Sequence, residues 1–274
     1  MYLTIGGIPY YLDAVRKGES VIQFINRTCF SKDGILIDEY KVLFDYLFEN
    51  SSRHYNIVEV LNMKKSGLTR KEIISKTEFA SGGSLTNTLN ELEESGFIKN
   101  IIPYQLNKTK SFYQLKDYFI IFHLKFMKNS NKNSNWGNIV KSASWASWTG
   151  LAFERLCFDH ISQIKRTLKL DVIESKVSPW SKKDNKEGAQ IDLLIDRADR
   201  VVNVCEIKFY NSEFTINKEY AKKLRNKIQL FSSLSVNKNK NIFLTMITTF
   251  GVSDNEYFKE LVQNEITSED FYKE

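Results

Sequence analysis

The sequence predicts a multidomain α+β protein, and three observations carry that prediction. Apolar residues recur at helical spacing through the first fifty positions and again in the segment that follows. Short apolar runs with the period of strands take over between about 170 and 250, flanked by helical stretches. Between the two regimes lies 128–135, a tract of Lys, Asn and Ser with no apolar side chain. The expected organisation is a helical segment at 1–50, a second domain at 51–127, a linker or exposed loop at 128–135 and a third domain at 136–274.

Within 1–50, Phe24, Ile25, Thr28 and Cys29 fit one helical stripe, and Leu43, Phe44, Leu47 and Phe48 another. From 51 onward a helix is expected at 56–65 with Ile57, Val60 and Leu61 inward. Thr69 and Glu72 form a capping box for a short helix holding Ile73 and Ile74. A turn at Gly82-Gly83 leads to Ser84 as N-cap of a helix with Leu85, Leu89 and Leu92 on one face, ended by Gly96 in a left-handed conformation. Two strands, 97–105 and 111–115, then read as a hairpin. Three helices and a hairpin in this order are the pattern of a winged helix. In the third domain a helix carrying Phe153, Leu156, Cys157 and Ile161 precedes strands at 170–180, 190–196 and 201–209, a helix at 218–234 and a strand at 241–249.

Bulk properties narrow the function classes. The 274 residues are 42% hydrophobic and 13% aromatic, enough to bury a substantial core. No run approaches the roughly 18 apolar residues of a membrane span, and no signal-peptide pattern opens the sequence, so a cytoplasmic protein without membrane partners is expected. Cys29, Cys157 and Cys205 are odd in number and far apart, which fits buried thiols and not disulfides or a zinc site. His54, His123 and His160 are equally scattered, with only His160 near other candidate chemistry. The net charge of +6 allows an acidic partner such as DNA, although a Lys- and Asn-rich composition raises charge without any such role.

Charges inside apolar strands are costly unless paired or metal-bound, which singles out Asp192, Glu206 and Lys208. Alternation puts Glu206 and Lys208 on one face of their strand and Cys205, Ile207 and Phe209 on the other. Two carboxylates and an ammonium brought together suit metal-assisted attack on a phosphodiester: Asp192 and Glu206 as Mg²⁺ ligands, Lys208 neutralising charge or orienting water, and Glu154 on the preceding helix as a further carboxylate. The bland alternative is a cross-strand Glu–Lys pair worth about 0.2–1 kcal/mol. Asp196 and Asp199 read as turn residues, and Asp184 and Glu187 as solvated loop residues.

These segments resemble known families. Residues 190–196 followed by Val204-Cys205-Glu206-Ile207-Lys208-Phe209 look like the core of the PD-(D/E)xK nuclease superfamily. With Gly150-x-x-Phe153-Glu154-x-x-Cys157, the chain resembles the C-terminal portion of archaeal-type AAA/STAND ATPases, also widespread in Bacteroidetes. Gly6-Gly7-Ile8-Pro9-Tyr10-Tyr11-Leu12 is similar to their lid segment, and 51–127 to their winged helix. The resemblance implies a restriction-endonuclease-like αβββαβ domain, Mg²⁺, and Asp192, Glu206, Lys208 and Glu154 as active-site positions. It also implies an ATPase domain or partner protein as a companion. No G-x-x-x-x-G-K-[ST] occurs, so no ATP site and no ATPase activity are expected of this sequence.

The helix at 218–234 offers Lys218, Lys222, Lys223, Arg225 and Lys227 for phosphate contacts near the metal site, with Gln229 also directed toward it and Tyr220, Leu224, Ile228 and Phe231 as its buried stripe. In the winged helix only Lys108 and Lys110, on the wing, favour DNA; the helix at 84–95 carries Glu91, Glu93 and Glu94 and lacks Arg and Lys. The leading expectation is Mg²⁺-dependent DNA cleavage. The alternatives are an inactive regulatory or interaction domain of an ATPase system, and a winged-helix DNA-binding regulator.

Overall fold

A computed structural model describes residues 1–77, 79, 82–130, 135–182 and 188–273; part of the expected linker and both Asp184 and Glu187 lie outside the described residues. Among the described residues the chain is mixed α and β, with 13 α-helices and two sheets. It divides into two compact units, Met1–Ile101 with Asn107–Trp148, and Ile102–Leu106 with Thr149–Glu274. No helix among the described residues is long and apolar enough to cross a membrane.

The first unit holds α1 (Tyr2–Ile5), α2 (Pro9–Leu12), α3 (Val21–Ile25), α4 (Glu39–Leu47), α5 (Ser51–Asn62), α6 (Arg70–Lys76), α7 (Gly83–Glu94), α8 (Tyr118–Phe122) and α9 (Trp136–Ile139). Its antiparallel sheet runs β1-β3-β2, from β1 (Leu68–Thr69), β2 (Ile98–Ile101) and β3 (Phe112–Leu115). Phe24, Ile25, Thr28 and Cys29 are all buried, as are Phe44 and Phe48, but Leu47 faces solvent. Thr69 and Glu72 form the expected capping box at the start of α6. At α7 the cap is Gly82 and Ser84 falls in the first turn, where its hydroxyl accepts from Arg53 at 2.7 Å. Gly96 takes φ 77° after α7. Strand β1 is an addition to the expected hairpin, and Gly67 before it has φ 83°, with its Cα so close to β3 that a Cβ would sit 2.5 Å from the Tyr113 carbonyl oxygen.

Helix α10 (Ala143–Asp159) begins in the first unit and continues into the second, where α11 (Ile161–Thr167) follows. A break at His160 therefore separates Ile161 from the helix to which its spacing assigned it. Then come β4 (Ser175–Lys182), β5 (Ala189–Arg197), β6 (Val201–Lys208), α12 (Lys218–Ser232), β7 (Asn241–Thr248), α13 (Glu256–Leu261) and β8 (Asn264–Thr267). The sheet order is β4-β5-β6-β7-β8; β4 to β6 pair antiparallel, and β6, β7 and β8 parallel. Strand β4 starts five residues later than its apolar run suggests (175 against 170), because Lys169 ends α11 in a left-handed turn with φ 56°.

Both faces of this sheet are covered, which explains its near-continuous apolar strands. On one face Leu194, Val202, Val204, Leu244 and Met246 pack with Leu224 and Phe231 of α12. On the other, Leu193, Ile195, Cys205, Ile207 and Ile247 pack with Phe153, Cys157 and Ile164. Asp196 is not a turn residue: it is paired within β5, opposite Lys176, and accepts from Lys240 at 2.6 Å.

Candidate functional site

Register and one irregularity build the site. Leu194 pairs with Val204 and Leu193 with Cys205, where the β5–β6 register ends, one residue short of Asp192 on β5 and of Glu206 on β6; the Glu206 charge acts on the Asp192 carboxyl. On its other side β5 pairs Leu194 with Ser178 but Ile191 with Trp180, leaving Asp192 and Leu193 opposite the single residue Pro179. This is a β-bulge, the device that re-aims side chains along a strand. It lets Ile191 join the α12-side core while Leu193 joins the α10-side core, with half-buried Asp192 at the changeover.

Glu206 is the buried centre, at 4% exposure. Its Oε1 accepts from the Tyr220 hydroxyl and lies 3.0 Å from Lys208 Nζ, and its Oε2 accepts from Lys227 Nζ at 2.5 Å. Lys208 also stands over the Tyr220 ring, 5.5 Å from its centroid. Asn217 caps α12 by accepting from the Tyr220 backbone N–H at 2.9 Å, which fixes the helix start. Tyr220 and Lys227, seven residues apart, then lie two turns apart on nearly the same side of α12. The sequence pattern had assigned Tyr220 to the apolar stripe and Lys227 to a DNA-facing row; the signal that unites them is that spacing read against a buried acid.

The carboxyls diverge electrostatically. Burial pushes Glu206 up, but Lys227 and Lys208 beside it, with the hydrogen bonds from Lys227 and Tyr220, outweigh burial and hold it below its ordinary value. Burial pushes Asp192 up, and the Glu206 charge adds to it, against a 2.7 Å hydrogen bond from Gln190. Glu154, half-buried on α10, is raised to about 7, first by burial and then by the Asp192 charge. Burial keeps the Tyr220 phenol protonated, with Glu206 reinforcing it, so it is a permanent donor.

The structure therefore brings Asp192, Glu206, Lys208 and Glu154 into one electrostatic neighbourhood. Among the described residues no three or more His, Cys, Asp or Glu side chains form a metal-holding group. Mg²⁺ ordinarily takes one or two protein carboxylates and keeps several waters, and the donor chemistry of Asp192 and Glu206 fits that pattern. His160 stacks on Phe271, centroids 5.2 Å apart. Cys157 and Cys205 are buried free thiols, both raised by burial.

The basic residues of α12 do not act as one row. Helical geometry puts Lys218, Lys222, Arg225 and Gln229 roughly opposite Tyr220, whereas Lys223 precedes Lys227 by one turn on the site's side. All but Lys227 are exposed, and Arg225 is paired with Glu260 at 2.6 Å. Lys108 and Lys110 are exposed on a 3₁₀ turn between β2 and β3. On α7, Glu91 accepts from His54 at 2.7 Å and Glu93 from the Asn100 backbone at 3.1 Å, so both acids serve the fold of the first unit.

Residues 118–227, which contain Glu154, Asp192, Glu206, Lys208, Tyr220 and Lys227, match a family model described as archaea bacterial proteins of unknown function. No curated protein matches the sequence. Among solved structures, a protein of unknown function, AF1548, is similar at 20% identity over 39% of this chain and 54% of that chain, with a TM-score of 0.27. The chain thus spans about half the length of that neighbour, and at this score the likeness carries no argument.

Proposed function

We propose that the second unit is a restriction-endonuclease-like, Mg²⁺-dependent DNA phosphodiesterase centred on Asp192, Glu206 and Lys208. The observation that carries the reading is the buried Glu206 with Lys208 3.0 Å away and its charge acting on Asp192, one residue past the last β5–β6 pair, Leu193 with Cys205. Asp192 and Glu206 would hold the metal, which when bound supplies Lewis-acid neutralisation of phosphate charge and an activated water. Lys208 adds a positive charge beside the phosphorane-like transition state. Glu154, raised to about 7, carries or releases a proton near neutrality next to Asp192. Lys223, exposed on the site's side of α12, is the basic residue best placed for DNA phosphate. Hydrolysis breaks one P–O ester bond, hydroxide from water taking the phosphorus and its proton passing to the leaving oxygen.

A second reading is favoured by one observation: both Glu206 oxygens already have protein donors. On it the unit is an interaction or regulatory domain of an archaeal-type ATPase system, and the Glu206 cluster is structural. The family match at 118–227 agrees with either reading. A winged-helix DNA-binding regulator is the weakest reading, because α7 carries three glutamates and no Lys or Arg.

Cleavage of plasmid and branched DNA with Mg²⁺ or Mn²⁺ decides between them. Wild type should cut, and Asp192→Ala and Lys208→Ala should each lower the rate at least about a hundredfold, as removal of a transition-state contact does. Cleavage that survives both substitutions would sink the assignment of this site, and no cleavage by wild type would favour the regulatory reading.

A further inference from the structure

We infer that Lys227 is a built-in counter-cation that competes with a divalent ion for Glu206 and so sets the metal affinity of the site. This rests on the reading of Asp192 and Glu206 as metal ligands. The two lysines at Glu206 are not equivalent. Lys208 is 34% exposed and comes from the same strand as the glutamate, so its ammonium reaches solvent and any substrate there. Lys227 is only 19% exposed and comes from α12, a helix anchored in the core by Leu224 and Phe231. Its ammonium binds Oε2, while the Tyr220 hydroxyl and Lys208 share Oε1. Oε2 is therefore the oxygen with room for a metal bond, and Lys227 is what holds it.

The geometry at Glu206 points the same way. Two ammonium groups, Lys208 at 3.0 Å and Lys227 at 2.5 Å, already sit on this one buried carboxylate, so a divalent ion arriving at Oε2 meets like charge already bound there. A cation at Oε2 and the Lys227 ammonium are thus alternatives. A long, flexible lysine on a fixed helix can swing away once the ion or a phosphate arrives, which makes Lys227 a positioning residue and not a catalytic one.

Mn²⁺ titration of the full chain by calorimetry, with electron paramagnetic resonance counting free Mn²⁺, tests the inference directly. Lys227→Met should bind Mn²⁺ about tenfold more tightly than wild type, the effect of one unit charge facing a divalent ion across a partly wet site. Lys227→Arg, which keeps the charge, should stay close to wild type. Lys227→Gln, neutral and able to hydrogen-bond Glu206, replaces the Met variant if circular dichroism shows that Met prevents folding. Equal affinity in wild type and the neutral variant overturns the inference and leaves the proposed function standing. Absence of Mn²⁺ binding in wild type and neutral variant alike overturns the metal reading of Asp192 and Glu206, and this inference with it.

Discussion

Glu154→Gln should stabilise the second unit, and by an amount that grows with pH. The Glu154 carboxyl moves from an ordinary 4.5 to about 7, driven first by burial and then by the Asp192 charge. Below about 4.5 the folded and unfolded chains both hold the proton, so the substitution changes little. Between about 4.5 and 7 the unfolded chain releases it while the folded chain keeps it. The unfolded state then binds fewer protons, and stability falls as pH rises. At about 1.4 kcal/mol per pH unit that gap has a ceiling of about 3.5 kcal/mol, and water around a half-buried group lowers it to about 1–3 kcal/mol. Glutamine mimics the protonated acid at every pH and removes the dependence. Hydrogen exchange at matched pH, read by mass spectrometry on peptides from β5 and β6, should show variant and wild type alike near pH 4.5 and the variant better protected above pH 7. A constant difference across that interval, or a variant less protected at pH 7.5, would refute the electrostatic account of Glu154.

Two further substitutions test the packing of each unit. Asn203, 1% exposed on β6, donates to Thr245 Oγ1 at 3.0 Å and Asn264 Oδ1 at 3.1 Å, linking three strands; Asn203→Ala should cost about 1–3 kcal/mol in urea unfolding. Gly67→Ala forces a Cβ to 2.5 Å from the Tyr113 carbonyl at φ 83°, and should lower the thermal midpoint of the first unit by several degrees.

Much of this architecture was legible because its signals are local. The Thr69–Glu72 box, the left-handed Gly96 and the alternation of Glu206 and Lys208 against Cys205 and Ile207 each involve neighbours in sequence, and each is present. What escaped is non-local. Strand β8 has one buried apolar residue, Ile266, and becomes a strand only because β7 offers it a parallel edge. Strand β1 is two residues held by β3. Ser84 forgoes a cap because Arg53, 31 residues earlier, takes its hydroxyl. Tyr220 and Lys227 read as stripe and surface because helical periodicity records which side a residue occupies and not which charge waits opposite. The bulge did leave a trace: a proline inside a strand pattern marks an edge or an irregularity, and Pro179 marks both.

That proline also bears on how the protein behaves when crowded. Strand β4 is the outermost of five, and an outer strand ordinarily presents amide donors and carbonyl acceptors to any chain able to lie alongside. Here Pro179 has no N–H to offer, its carbonyl is already taken by the Tyr104 N–H at 2.8 Å, and exposed Lys176 adds charge to the same border. A would-be sixth strand meets an interrupted ladder. The irregularity beside Asp192 thereby discourages growth of the sheet at its β4 edge.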